Sequence, residues 1–205
     1  DGCQVGECDI TERLPELGQF EAVVNLASPA SPEDFASMPL EILQAGSVGN
    51  RHLLDLATDC GARFLLASTS EVYGDSLVHP QSEDYRGNVD PIGPRSCYDE
   101  AKRFAEATTM AYARRRGLDI RIARIFNTYG ERMMPTDGRV VGAFIVQALR
   151  EEPLHVFGDG TQTRSFCHVA DQVSGLIALL DSTYSWPVNI GNPEEVMIAD
   201  LAELV

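Results

Sequence analysis

Residues 66–74 read LASTSEVYG and residues 98–102 read YDEAK, and the stretch that they bracket decides the fold of this chain. The apolar residues that lead into the first run predict a buried strand, which ends in a cluster of hydroxyls and a carboxylate. The second run predicts the start of a helix, where Tyr98 and Lys102 share one face because they are four residues apart. Residues 96–99, SCYD, fit the S-x-x-D capping pattern, which predicts that Tyr98 lies in the first helical turn.

Lys102 is the only lysine of the chain; all other residues among its 16 Lys and Arg are Arg. A compact ammonium differs from a planar guanidinium, because it can sit under a ribose and beside a phenolate. We expect Lys102 and the helix dipole to lower the pKa of the Tyr98 phenol. Tyr-x-x-x-Lys also occurs in ordinary helices, and the preceding S-T-S-E-V-Y-G run is what favours a catalytic pair here.

Other runs along the chain share one family likeness with these two. They are LASPASP at residues 26–32, HPQSEDY at 79–85, residues 88–102, ARIFNT at 123–128, DGRVV at 137–141, QTR at 162–164 and GNPEE at 191–195. On these motifs, nearly the whole chain resembles the extended short-chain dehydrogenase/reductases of the NAD-dependent epimerase/dehydratase family. Within that family it most resembles the UDP-glucuronate decarboxylases (UDP-xylose synthases). The resemblance implies NAD as cofactor, a UDP-sugar as substrate, and C4 oxidation, loss of the C5 carboxylate and C4 re-reduction as the reaction.

The alternation of strands and helices predicts an α/β fold with a Rossmann-like, doubly wound parallel sheet. We expect residues 1–130 to form a partial NAD-binding Rossmann domain. Residues 131–205 are expected to form part of a smaller sugar-nucleotide-binding lobe, interleaved with the last Rossmann elements. No Gly-rich dinucleotide loop precedes the first strand, so we expect the first βα units, on the order of 50–60 residues, upstream of this sequence. The last residues read as an interrupted helix, which predicts a cut C-terminus.

Hydrophobic periodicity predicts the individual elements. Strands are expected at residues 21–27, 63–67, 119–125, 154–157 and near 188, and helices at residues 40–59, from the Tyr98 turn to 116, at 139–150 and at 171–180. The family usually carries Asn-Thr-x-Gly-Thr where this chain has GSVGN at residues 46–50. The missing Asn removes a hydrogen bond that braces the active-site strand, and each Gly weakens the helix by roughly 1 kcal/mol. The sequence offers no residue to replace this brace.

The resemblance implies four catalytic residues. Tyr98, as phenolate, takes the proton from the sugar 4-hydroxyl while C4 gives hydride to NAD, and Lys102 hydrogen-bonds the nicotinamide ribose. Thr69 bridges to the same 4-oxygen. Glu71 places the sugar ring or protonates C5.

The resemblance also implies further contacts with the cofactor and the substrate. The implied NAD contacts are Asp9 and Ile10 at the adenine, Leu26, Ser28, Tyr98, Lys102, Thr128 and Arg139. Asn127 and Arg164 are the implied substrate contacts, and Arg164 would hold the UDP phosphates. Ser70 is a third implied substrate contact, because related dehydratases carry Asp at this position. An Asp would repel the glucuronate carboxylate by about 4 kcal/mol at 4 Å and an effective dielectric near 20.

The net charge of −15 argues against nucleic acid or an anionic membrane as partner. No run is long enough to cross a membrane. The five cysteines form no C-x-x-C pair, which favours free thiols in the cytoplasm. The four histidines are far apart and suggest no metal site. A homodimer through the Tyr98 helix and the helix before it is implied by the resemblance alone.

Two other functions stay open. One is a dTDP-glucose 4,6-dehydratase-like or 4-epimerase-like enzyme, which Ser70 and the run at residues 90–100 disfavour. The other is a non-catalytic chain, because the sequence contains no pyrophosphate cradle. We expect weak or no NAD binding by these 205 residues alone.

Overall fold

A four-stranded parallel sheet forms the centre of the structure, a computed structural model that describes residue 3 and residues 5–205. The strands are β1 (Ala22–Asn25), β2 (Arg63–Thr69), β3 (Ile120–Ile125), β4 (Thr128–Tyr129), β5 (Thr163–Ser165), β6 (Cys167–His168), β7 (Pro187–Ile190) and β8 (Glu195–Met197). The helices are α1 (Pro32–Ser37), α2 (Pro39–Gln44), α3 (Asn50–Cys60), α4 (Ser96–Arg116), α5 (Val140–Leu149), α6 (Val169–Asp181) and α7 (Ile198–Leu204). The central sheet has the order β1-β2-β3-β7, and all its neighbours are parallel. The predicted α/β fold is confirmed.

Helices cover both faces of this sheet because alternate strand residues point to opposite sides. On one face Phe64 and Leu66 of β2 and Ile122 of β3 pack with α3 and α4 in the main hydrophobic core. On the other face the buried guanidinium of Arg121 in β3 donates to the carbonyl of Leu179 in α6. The strand before the predicted site, β2, is thus held at both edges and on both faces.

The helix predicted at residues 40–59 is present but interrupted. One π-helical turn, Ala45–Gly49, joins α2 to α3 and contains both glycines of the GSVGN run. A Cβ at Gly46 would lie 2.7 Å from the Cβ of Ala101, so this glycine lets the turn approach α4 closely. Helix α3 ends, as predicted, at Gly61, whose φ of 63° suits glycine.

The expectation that nothing replaces the missing brace is wrong, because Asn50 supplies one. This fully buried side chain accepts a hydrogen bond from Asn25 Nδ2, at the end of β1, at 3.0 Å. Its own Nδ2 donates to the Ala105 carbonyl of α4 at 3.4 Å. Residue 50 lies one helical turn after the position where the family has Asn, so the side chain remains on the face that meets the sheet.

Residues 131–205 add α5, α7, an antiparallel β5-β8 pair and β6, which pairs in parallel with β4 of the preceding segment. The same residues also contain α6, which packs on the central sheet, and β7, which is its edge strand. The strand predicted at residues 154–157 is wrong, because this segment pairs with no strand among the described residues and leaves Phe157 85% exposed. The division of the chain at residue 130 stays a prediction. No helix in the described part of the chain is long and apolar enough to cross a bilayer.

Candidate active site

The corner after β2 presents two hydroxyls and a carboxylate in one tight turn. Thr69 caps the 3-10 turn Ser70–Tyr73, because its Oγ1 accepts a hydrogen bond from the Glu71 backbone N–H at 3.2 Å. Gly74 closes the turn with a φ of 64°, and a Cβ there would come within 2.2 Å of the Asn88 carbonyl oxygen. The corner therefore requires glycine at the end of the S-T-S-E-V-Y-G run.

The first turns of α4 face this corner. The Tyr98 side chain is 7% exposed, and its ring stacks on that of Phe35 with centroids 4.9 Å apart. The Thr69 hydroxyl lies close enough to the phenol to lower its pKa. Lys102 Nζ donates to the Ala67 carbonyl of β2 at 2.9 Å and lies 5.7 Å from the centre of the Tyr98 ring. The structure thus brings together the predicted base, the predicted lysine and the predicted threonine.

The capping pattern predicted at residues 96–99 is wrong. Helix α4 begins at Ser96, its N-cap is Arg95, and no side chain caps it. Asp99 lies inside the helix, where its backbone N–H donates to the Arg95 carbonyl. Its buried Oδ1 has no hydrogen-bond partner in the described part of the chain. Tyr98 nevertheless lies in the first turn, as predicted.

The pKa of the Tyr98 phenol is raised, opposite to the expected direction. Burial is the largest cause, while the hydrogen bond with Thr69 lowers the pKa, Glu71 raises it and Arg139 lowers it. Burial also lowers the pKa of Lys102 to about 8. The expectation of a lowered phenol pKa fails because both groups lose water when α4 packs on β2, which disfavours each charged form.

A cleft of about 620 Å³ opens beside the corner and contains all the predicted substrate residues. Ser70 and Glu71 line it from the corner, Asn127 lines it from the loop after β3, and Arg164 lines it from β5. Arg95 lines it as well, and its guanidinium pairs with Glu71 at 2.5 Å. The cleft therefore combines neutral hydroxyl, amide and guanidinium donors, which suit an anionic sugar nucleotide.

Backbone carbonyls hold the two donors that are distant from the corner. Asn127 Nδ2 donates to the Ser165 carbonyl at 3.3 Å, and Arg164 Nη1 donates to the Thr163 carbonyl at 2.8 Å. The first contact links the loop after β3 to β5, and the second lies within β5. Within the described residues, no group of three or more His, Cys, Asp or Glu side chains could hold a metal ion.

Part of the predicted cofactor set lies near the phenol. Arg139 acts on the pKa of that group and forms an ion pair with Asp137. The Asp137 carbonyl accepts a hydrogen bond from Ser31 Oγ at 3.0 Å, which ties the loop after β1 to the start of α5. In that loop Leu26 is 61% exposed, and Ser28 Oγ donates to the next residue's carbonyl at 3.2 Å.

The other predicted cofactor residues, Asp9, Ile10 and Thr128, contact groups outside the corner. Asp9 Oδ1 accepts hydrogen bonds from the backbone N–H and the hydroxyl of Thr11, both at 2.8 Å, and they lower its pKa. The Ile10 side chain packs against Gly49. The Thr128 hydroxyl donates to a carbonyl of its own loop at 3.0 Å. Their assignment to the cofactor stays a prediction.

Sequence reasoning missed several residues of the site. Arg95 could have been suspected, because a cation directly precedes the helix that carries Tyr98. No sequence pattern indicated Phe35, because its ring contacts Tyr98 only in the folded chain. His79 and Glu195 line the cleft from distant segments, and a hydrogen bond of 2.5 Å joins them, which no local pattern predicts.

Comparisons with known protein sequences find one family model and a set of similar proteins. Residues 3–191 match the model described as the NAD dependent epimerase/dehydratase family. The chain is 54% identical over 197 residues to UDP-glucuronic acid decarboxylase 1 of Danio rerio, covering 96% of this chain and 47% of that protein. It is also 54% identical over 197 residues to UDP-glucuronic acid decarboxylase 3 of Arabidopsis thaliana, covering 96% and 57%. The chain spans about half the length of the curated relatives it matches.

Solved structures with the same fold include two enzymes. UDP-glucose 4-epimerase from Thermotoga maritima, with UDP-glucose, superposes with a TM-score of 0.82 at 29% identity, covering 90% of this chain and 59% of that one. The dTDP-glucose 4,6-dehydratase from Streptomyces venezuelae, with NAD bound, superposes with a TM-score of 0.83 at 26% identity, covering 96% and 61%.

Proposed function

The chain belongs to the NAD dependent epimerase/dehydratase family, and we propose on this basis that its protein is an NAD-dependent UDP-glucuronate decarboxylase, a carboxy-lyase that makes UDP-xylose. The observation that carries the proposal is the cleft, where neutral Ser70 and cationic Arg164 line the same cavity as Glu71. A guanidinium attracts a sugar carboxylate or a phosphate, and a serine hydroxyl donates to one. The similarity to named UDP-glucuronic acid decarboxylases supports the same activity.

The chemistry assigns one task to each residue beside the corner. Tyr98 is the base that takes the proton of the sugar 4-hydroxyl, and Thr69, within reach of the phenol, binds the same oxygen. Arg139 is a cation that favours the phenolate against the cost of burial. Once C4 is a ketone, the C5 carboxylate is β to a carbonyl, and its bonding electrons flow into that carbonyl as CO2 leaves. The enolate that is left takes up one proton at C5, which Glu71 relays from solvent, so the net reaction consumes one proton.

NAD, when bound, supplies the hydride acceptor for C4 and returns the hydride, so the reaction consumes no cofactor. The residues fit such a group, because the carboxyl ends of parallel strands are where α/β sheets hold dinucleotides. Leu26 offers exposed apolar surface there, and Ser28 and Lys102 offer polar groups for a ribose. We assign Asp9 and Ile10 to the adenine and Thr128 to the rest of the cofactor on resemblance alone.

A second candidate is a nucleotide-sugar 4-epimerase or 4,6-dehydratase, because enzymes of both kinds share the fold. Ser70 separates the candidates. A dehydratase needs an acid at this position to drive the loss of water, whereas a decarboxylase needs a neutral group beside its substrate's carboxylate.

Incubation with UDP-glucuronate and NAD⁺ tests the proposal. We expect release of CO2 and formation of UDP-xylose, and no turnover of UDP-glucose. Ser70→Asp is expected to lower kcat/KM for UDP-glucuronate by about 100-fold or more, because a like charge would face the substrate. Turnover of a neutral hexose nucleotide, with none of the acid sugar, would reject the proposal. Micromolar binding in an NAD⁺ titration would reject the non-catalytic alternative.

A homodimer and a cytoplasmic location also remain proposals. Large apolar side chains are exposed on α4 and on α2, which begins the helix predicted at residues 40–59: Phe104 (54%), Leu40 (68%) and Leu43 (39%). We expect Phe104→Arg to convert the dimer to monomers in analytical ultracentrifugation. Free thiols at all five cysteines support a reducing compartment.

A further inference from the structure

Tyr98, Lys102 and Glu106 lie one helical turn apart and form a stripe on α4 that faces the end of β2. Tyr98 and Lys102 are the catalytic pair of the proposed function, and Glu106 has no role in it. Glu106 Oε1 accepts a hydrogen bond from Ser68 Oγ at 2.6 Å. Ser68 directly precedes Thr69, so this contact fixes the corner to the helix at the residue before the predicted substrate contacts.

Arg124 of β3 holds Glu106 from the neighbouring strand. Its Nε donates to Oε1 at 2.9 Å and its Nη2 donates to Oε2 at 2.8 Å, which is a bidentate pair. Both side chains are nearly buried, with 11% and 12% exposed. Ser68 and Arg124 are partners in the register of β2 and β3, so three residues from two strands and one helix meet at one point.

The same hydrogen bonds continue to the cleft. Arg124 Nη1 donates to Tyr73 Oη at 2.9 Å, and this hydroxyl donates to Asn189 Oδ1 at 2.7 Å. Asn189 of β7 is the register partner of Arg124 across the next pair of strands, and it lines the cleft. An unbroken path therefore joins the helix of Tyr98 to the wall of the cleft.

We propose that Glu106 and Arg124 are positioning residues, which set the distance between the Thr69–Ser70–Glu71 corner and the Tyr98–Lys102 pair; this inference rests on the proposed function. Proton transfer to the phenol and hydride transfer from C4 both require the sugar to be placed correctly relative to Tyr98 and the cofactor. A misplacement of about 1 Å lowers the rate by about 100-fold. Buried ion pairs contribute little net stability compared with apolar residues. The geometry that the pair imposes is thus its main contribution.

The test uses Arg124→Lys, which keeps the charge and loses the bidentate fork. We expect kcat for CO2 release to fall by about 10- to 100-fold, with KM for UDP-glucuronate within about threefold of the original value. Ser68→Ala, which removes only the hydroxyl that donates to Glu106, is a second variant with less effect on folding. We expect it to lower kcat by about 3- to 10-fold.

Arg121→Lys is the matched control. Arg121 lies on the same strand and is even more buried, at 2% exposed, but it bonds to Asp119 and to carbonyls near the end of α6, away from the site. We expect this variant to lose at least as much thermal stability as Arg124→Lys and to keep its kcat. Equal loss of kcat in both variants would mean a merely structural role and would overturn the inference.

Lys102 gives a second readout that does not depend on turnover. Because it is the only lysine, the Cε resonance of ¹³C-lysine-labelled chain is unambiguous. For this readout both arginines are changed to Gln, which adds no second lysine. We expect Arg124→Gln to hydrate Lys102 and raise the midpoint of its titration, and Arg121→Gln to leave the midpoint unchanged. If the original protein releases no CO2, the proposed function is rejected. The Lys102 titration then tests whether Glu106 and Arg124 position the Tyr98–Lys102 pair. Unchanged kcat in an active protein, or an unchanged midpoint in an inactive one, overturns it.

Discussion

Lys102 carries its charge in a setting that disfavours it. The side chain is 7% exposed, its ammonium donates to the Ala67 carbonyl, and burial lowers its pKa to about 8. The unfolded chain therefore binds more protons than the native one between pH 8 and about 10.5. Stability rises with pH across this window, and below it the full cost of the buried charge is present.

Lys102→Met should therefore stabilise the protein while it abolishes activity. We expect the free energy of unfolding at pH 7 to rise by about 1–3 kcal/mol, because the buried charge is removed and the volume is kept. The gain should shrink as the pH approaches 10.5. Chemical denaturation at several pH values measures it, with Lys102→Arg as the control that retains a charge and should gain nothing. A stability difference that does not depend on pH would contradict the assignment.

Asp99 gives a pH dependence of the opposite sign. Burial raises its pKa to about 6, Arg95 lowers it and Glu71 raises it. The native state therefore binds more protons between pH 4 and 6, so stability falls as the pH rises through that window and stays reduced above it. We expect Asp99→Asn to be more stable than the original protein at pH 7 by about 1–2 kcal/mol and equal to it at pH 4. Thermal unfolding of both proteins against pH measures this.

The two glycines of the π-helical turn between α2 and α3 differ in what surrounds them. A Cβ at Gly46 would lie 2.7 Å from the Cβ and 2.9 Å from the carbonyl oxygen of Ala101. One at Gly49 would lie 2.6 Å from the flexible side chain of Ile10 and no closer than 3.6 Å to its backbone. We expect Gly46→Ala to cost about 1–3 kcal/mol of stability, because α4 cannot yield, and Gly49→Ala to cost less. Urea denaturation compares the two variants. Equal losses of stability in the two variants would contradict this prediction, because they would mean that α4 at Ala101 moves as easily as the Ile10 side chain.

The same turn explains why sequence reasoning succeeded for the helix and failed for its interior. Periodicity over residues 40–59 is a property of the chain itself, so it predicted both the helix and its end at Gly61. The requirement for glycine at residue 46 and the hydrogen bonds of Asn50 both depend on contacts with α4. The Asn50 contact joins residues that are 55 positions apart in the sequence, so local periodicity cannot predict it. The prediction of a strand at residues 154–157 failed for a related reason, because a strand needs a neighbouring strand to pair with as well as an apolar pattern.

Across the whole molecule, His79 and Glu195 join the loop after the corner to β8, and both line the cleft. The hydrogen bond of Thr163 and that of His79 both lower the pKa of Glu195. Because the pair is partly exposed, we expect Glu195→Gln to change global stability very little. The KM for the sugar nucleotide should rise by about two- to fivefold and kcat should stay unchanged, because the variant loosens only the cleft.

Asp181→Asn is the control for that prediction. It removes an exposed ion pair with Arg63 at the other end of the sheet, so it should change neither constant. Steady-state kinetics measure both variants. A lower kcat for Glu195→Gln, or an unchanged KM, would contradict a role in holding the cleft.

The sequence by itself determined the parallel α/β fold, the corner after β2 and the approach of Tyr98 and Lys102 to it. These features follow from local periodicity, from a turn that only glycine permits and from helical spacing. Only the tertiary structure decided the protonation behaviour and the contacts of those residues. The raised pKa of Tyr98, the buried Asp99 in place of a cap and the Glu106–Arg124 pair arise where α4 packs on β2 and β3. Desolvation and long-range pairing depend on which segments exclude water together, which no local pattern encodes.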